Sequence, residues 1–117
     1  MIYLASPYSH PDPAVRKQRF CTACRVTAEL LRAGQLVFSP IAHSHGIAEH
    51  NLPCTWSFWE PFDRWFLERC DELVVLMLDG WQESVGVQAE IQLAHALGKP
   101  VRYITPGKDG DVHDITT

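Results

Sequence analysis

Two carboxylates break the apolar pattern of the helices that carry them. Trp59, Phe62, Phe66 and Cys70 recur at i, i+3, i+7 and i+11, one face of a helix. Asp63 stands four residues after Trp59 and three before Phe66, so it points with them. Further along, Glu90 lies three after Val87 and four before Ala94, on the inner stripe of a second helix. An unpaired charge on such a face costs about 2–5 kcal/mol. Each carboxylate therefore borders the surface and caps or pairs with a neighbour, Arg64 and Arg69 being at hand, or it lines a cleft and does chemistry. In a cleft the chemistry is acid–base and nucleophilic.

Other groups gather around them. Ser84-Val85-Gly86-Val87 opens the helix of Glu90. A hydroxyl, a glycine and successive N–H groups at a helix start either cap the helix or form a small anion site. His43-Ser44-His45 lacks carboxylate or cysteine partners at metal-ligand spacing, so no metal is expected there. Those histidines read as hydrogen-bonding or packing groups, a metal-dependent hydrolase being the remaining alternative. Trp56, Trp59 and Trp65 form an aromatic group, mostly core or subunit contact, with one ring free to stack a base. Cys21-Thr22-Ala23-Cys24 has no second C-x-x-C and lies in a helical pattern, so it reads as a buried pair of small apolar residues.

The elements that must position these residues follow from periodicity and punctuation. Ile2-Tyr3-Leu4-Ala5 is a short apolar strand cut by Ser6-Pro7. Asp12 followed by Pro13 starts a helix, Phe20, Cys24, Thr27 and Leu31 recur along it, and Gly34 stops it. Residues 36–39 form a second strand, ended by Pro40, and residues 41–56 read as a long irregular loop. The next helix starts either at a Ser57-x-x-Glu60 capping box or at Pro61. Residues 72–78 are nearly all apolar, a strand buried on both faces. Asp79-Gly80 turns the chain, Ser84 caps a helix running to Leu97, and residues 101–104 form the last strand before a polar tail.

The sum is one α/β domain over residues 1–117. Its expected form is a flavodoxin-like or Rossmann-like three-layer sandwich on a short parallel sheet of order 2-1-3-4. Ligands bind such sheets beyond the strands' carboxyl ends, where strand order reverses, here between the first and third strands. The strand-end residues Ser6, Pro7, Tyr8, Ser39 and Asp79 border that crevice.

Composition narrows the partners. A chain of 117 residues, 46% hydrophobic and 21% charged, is an ordinary globular protein. Its net charge of −4 argues against a sequence-independent nucleic-acid binder, though not against a local phosphate. The longest apolar run, Leu73 to Leu78, is far too short to span a membrane, and no basic segment precedes an apolar one at the start. A cytoplasmic location, no membrane, no polymeric nucleic acid and a homo-oligomer are the expectations.

Three segments carry a family resemblance. Tyr3-Leu4-Ala5-Ser6-Pro7-Tyr8 resembles the opening strand and loop of the nucleoside 2-deoxyribosyltransferase superfamily, whose members begin with Tyr-Leu-Ala-Gly-Pro-like runs. Ser84-Val85-Gly86-Val87-Gln88-Ala89-Glu90-Ile91 resembles its Asp/Ser-x-Gly-x-x-x-Glu-Ile/Leu signature. Asp63, eight residues ahead of Asp71, matches an aspartate in the helix before the main strand. The anchors span most of residues 2–104 in the expected order, and the chain looks closest to an uncharacterised bacterial family within that superfamily.

The resemblance implies cleavage or transfer of the N-glycosidic bond of a nucleoside or nucleoside 5′-monophosphate, without a cofactor. Glu90 would act as nucleophile at C1′, Asp63 would protonate or position the departing base, and Tyr3 would orient the glutamate. Ser84 stands where transferases of free nucleosides usually carry aspartate; the branch that hydrolyses 5′-monophosphates has serine there, touching the phosphate. The Ser6–Ser9 loop lacks that branch's glycine-rich, arginine-bearing sequence, leaving Arg16, Lys17 and Arg19 as the nearby cations. The expected substrate contacts are Ser6, Pro7, Tyr8, Ser39, His43, His45, Asp79, Ser84 and Gly86. The other class of function is a nucleotide-binding sensor without turnover.

Overall fold

A computed structural model describes residues 1–107 and the backbone of residues 112–114. The short apolar runs form strands β1 (Ile2–Ala5), β2 (Val37–Phe38), β3 (Glu72–Leu76) and β4 (Val101–Pro106). These four are parallel and stand in the order β2-β1-β3-β4, as patterning predicts. A fifth strand, β5 (Val112–Asp114), pairs antiparallel with β4. The polar tail expected after Thr105 is therefore corrected at 112–114; its residues 108–111 and 115–117 lie outside the described residues.

Strand geometry sends alternate side chains to opposite faces. Ile2 and Leu4 of β1 join Val74 and Leu76 of β3 on one face, under Val26 of helix α1 (Pro13–Arg32). Tyr3 and Ala5 join Leu73 and Val75 on the other face, under helices α3 (Trp56–Arg69) and α4 (Val85–Ala96). The result is three layers, with Tyr3 aimed into the α3–α4 side. Helix α2 (Pro40–Ala48) packs on α1 and β1.

Helix starts follow side-chain chemistry. Asp12 accepts from the Ala14 amide at 2.9 Å with Pro13 at the first helical position, as expected. The same grammar recurs at Ser39-Pro40, where Ser39 accepts from the Ala42 amide at 3.2 Å and starts α2. Residues 40–48 are thus helical, which corrects the long irregular loop and places His43 and His45 on a helix. The third helix begins at Trp56 after Thr55, ahead of both expected starts, and carries Pro61 inside it. Glu60 bonds Arg64 instead of closing a capping box. Cys21 is exposed, so the Cys21/Cys24 pair is not buried as a unit, and both are free thiols.

Three of the described glycines take a backbone shape that other residues resist, among them Gly34 at φ +89°, ending α1, and Gly80 at φ +88°, after β3. Around Gly34 there is open space, whereas a Cβ on Gly80 would lie 2.8 Å from Arg19 Nη2. Arg19 bridges two loops there, donating from Nη1 to the Ser9 carbonyl and from Nη2 to the Asp79 carbonyl, both at 2.9 Å. Gly80→Ala should therefore destabilise more than Gly34→Ala, by about 1 kcal/mol for the displaced bridge. Denaturant titrations check this, and in an Arg19→Met background the two substitutions should cost the same.

Candidate active site

Beyond the carboxyl ends of β1 and β3 lies a cavity of about 810 Å³. The β1–α1 loop forms one wall, the starts of α2 and α3 another, and the first turns of α4 the third. This is where the strand order reverses, between β1 and β3. Arg19 ties the first wall to the third through the bridge described above, holding the β1–α1 loop to the β3–α4 turn.

Glu90 is the least exposed polar residue on the wall. It occupies the second turn of α4 on the buried face with Val87, Ile91 and Ala94, and is only 4% exposed. The Tyr3 hydroxyl donates to its Oε2 across the α4–β1 contact. Burial pushes the Glu90 carboxyl up to about 8, against the pull of the Tyr3 bond and with the Asp63 charge adding to the rise. Tyr3 itself is fully buried and held well above the usual phenol range, first by burial and then by the Glu90 charge.

Asp63 faces the same cavity from the buried side of α3, 9% exposed. Among the described residues it has no hydrogen-bond or ion-pair partner. Arg64 is taken by Glu60, and Arg69 donates to the Trp65 carbonyl at 2.8 Å while lying 3.7 Å over the Trp65 ring. Pairing with either arginine is thereby corrected. Burial pushes Asp63 up to about 7, with the charge of Glu60 adding to it. Both carboxyls are thus held toward their protonated forms at neutral pH.

Of the other expected contacts, Ser6, Tyr8, Ser84 and Gly86 line the cavity. The Ser6 hydroxyl is buried without a hydrogen-bond partner among the described residues. Ser84 caps α4, accepting from the Val87 amide at 3.2 Å, so the capping function is real and its own hydroxyl proton remains to donate. Gly86 sits beneath Trp56, where an added Cβ would be 3.5 Å from the indole. Five expected contacts are not on the wall. Pro7 is fully buried, Ser39 caps α2, and His43 is exposed and stacked on Phe62 with centroids 5.3 Å apart. His45 lies one step out, bonded to Tyr8, and Asp79 contributes a carbonyl to Arg19.

Three residues that the sequence named without fixing their direction, Arg16, Trp56 and Trp59, also line the cavity. Arg16 brings a cation to the cavity wall, its Nη1 donating to the His10 carbonyl. Its spacing from Asp12 put it in the first turn of α1 but not on any given side. Trp56 and Trp59 line the cavity, whereas Trp65 is 50% exposed on the outer side of α3. Among the described residues no three His, Cys, Asp or Glu side chains converge as a metal site. No described helix is long and apolar enough to cross a membrane.

Fold and site together define a three-layer α/β protein whose switch-point cleft carries two buried, proton-holding carboxyls. The chain belongs to the family described as a domain of unknown function, DUF1937, whose model matches residues 1–105. No curated protein matches it.

The shift on Glu90 has a sign that stability can read. Its carboxyl titrates higher in the fold than its ordinary 4.5, so the native state binds the proton more tightly. That contribution is complete below about pH 4.5 and is lost as pH rises through about 8. Glu90→Gln, which keeps an acceptor for Tyr3 but no charge, should match the wild type at pH 5. At pH 9 it should be more stable by up to about 4 kcal/mol. Denaturant titrations at both pH values check this; an offset independent of pH contradicts it.

Proposed function

We propose that the protein cleaves, or transfers, the N-glycosidic bond of a nucleoside or nucleoside 5′-monophosphate. The observation that carries this reading is Glu90, buried, gripped by the Tyr3 hydroxyl and facing a cavity that Asp63 also lines. The order of the Tyr3–Tyr8, Asp63 and Ser84–Ile91 segments, which resembles the nucleoside 2-deoxyribosyltransferase superfamily, supports it as well.

The chemistry follows from two carboxyls holding protons between them. In the reactive arrangement Glu90 is ionised, with Tyr3 donating to it, and Asp63 carries the proton. The Glu90 oxygen bonds to C1′ as the C1′–N bond breaks, the bonding pair leaves with the base, and Asp63 supplies the base's proton. Water, or a second base, then attacks C1′, its proton passes to Asp63, and Glu90 is released. A carboxylate on a desolvated wall is suited to an oxocarbenium-like centre because little water screens its charge.

The rest of the wall fits the two ends of such a substrate. Trp56 and Trp59 offer faces on which a base can stack. The first amides of α4, with the Ser84 hydroxyl, form the positive end of a twelve-residue helix on the cavity wall, suited to a 5′-phosphate. Arg16 adds a full positive charge on the same cavity.

The test is release of free base from a panel of nucleosides and their 5′-monophosphates, followed by chromatography. Release from the monophosphates alone is expected if the α4 start holds the phosphate. Glu90→Ala should lower kcat at least about a thousandfold while remaining folded; turnover near that of the wild type contradicts its role. Because only the singly protonated pair reacts, kcat/KM should rise through about pH 7 and fall through about pH 8. A flat profile from pH 5 to 8 contradicts the pairing.

A further inference from the structure

Tyr8 belongs to the cavity wall but to none of the steps above. It stands in the β1–α1 loop, and its hydroxyl lies 2.7 Å from Nδ1 of His45 on α2. The imidazole is locked in place. It stacks on Phe20 of α1 with centroids 4.1 Å apart and planes 17° from parallel, and meets the Tyr8 ring edge-on. Its other nitrogen, Nε2, faces the carboxylate of Glu49, the residue that caps the end of α2, at 3.6 Å.

The direction of the Tyr8–His45 bond follows from that carboxylate. A neutral imidazole carries one N–H and one lone pair. With the proton on Nδ1, the Nε2 lone pair would face the negative charge of Glu49. With the proton on Nε2, an N–H faces that charge and Nδ1 is left as an acceptor. A phenol has a single proton, so once it is donated to Nδ1 the Tyr8 oxygen offers the cavity only lone pairs.

We infer that Tyr8 is an acceptor-only contact that selects ligands carrying an O–H or N–H donor, and that His45 is the positioning residue that makes it so. His45 touches no ligand; it acts through the phenol. Glu49 in turn sets the tautomer. Arg16, on the same wall, donates its Nη1 to the His10 carbonyl. The inference rests on the proposed function only for the choice of probe.

Two measurements test it. In the protein without ligand, long-range ¹⁵N–¹H correlation of the His45 ring, assigned by its loss in His45→Phe, should show the Nε2–H tautomer. An Nδ1–H tautomer overturns the inference. Calorimetry then compares adenosine 5′-monophosphate with its 2′-deoxy, 3′-deoxy and 6-dimethylamino analogues, each lacking one donor or donor group. One deletion should weaken binding to the wild type about tenfold and to Tyr8→Phe no more than about twofold. His45→Phe, which keeps a ring on Phe20, should lose the same discrimination, which a merely structural role would leave intact. Equal discrimination by the wild type and Tyr8→Phe, or no binding of any of the four nucleotides, overturns the inference. Binding without base release overturns the reaction alone and leaves the assignment of Tyr8 standing.

Discussion

Everything in this site depends on a carboxyl placed where a carboxyl does not belong. Glu90 lies on the face of α4 that Val87, Ile91 and Ala94 bury against the sheet. A lone charge there would oppose folding by several kcal/mol. Among the described residues the problem is met by a single hydrogen bond from Tyr3, itself fully buried on the central strand β1. One bond only partly offsets the desolvation, so the carboxyl keeps a high proton affinity. That incomplete compensation is what the proposed chemistry draws on.

The fold supplies what the pair needs on either side. Because β1 alternates its side chains, Tyr3 reaches the α3–α4 layer while Leu4 packs under α1. The sheet order opens the crevice between β1 and β3, and the Arg19 bridge holds its two loops together. The second carboxyl, Asp63, comes from a different helix and has no partner among the described residues to quench it. Access to the cleft, proton storage and wall rigidity thus come from separate elements, none of which carries the site alone.

Much of this was legible in the sequence, for identifiable reasons. Strongly apolar runs gave away the parallel strands and their order, and period 3.6 put Asp63 and Glu90 on buried faces. Asp12-Pro13 was readable as a helix start, yet Ser39-Pro40 has the same chemistry and reads equally well as the end of a strand. A proline closes one element as naturally as it opens the next. Hence α2 was missed, and with it the placement of His43 and His45. Two histidines two apart cannot share one side of a helix, so His43 turns to Phe62 while His45 turns to Tyr8 and Phe20. Arg16 was not legible as a wall residue because its direction depends on how α1 lies against the β1–α1 loop. The β4–β5 pairing was not legible because it opposes only three residues of β5, Val112, His113 and Asp114, to Pro106, Thr105 and Ile104, too short a run to show an alternating pattern.

The most direct test of the central claim is a pH titration of the Glu90 and Asp63 side-chain carboxyls by ¹³C NMR in the free protein. The account predicts that the pair titrates with apparent values near 8 and 7, and that Asp63→Asn moves Glu90 downward by removing a neighbouring charge. Two carboxyls titrating near their ordinary values of about 4, unaffected by each other, would contradict it.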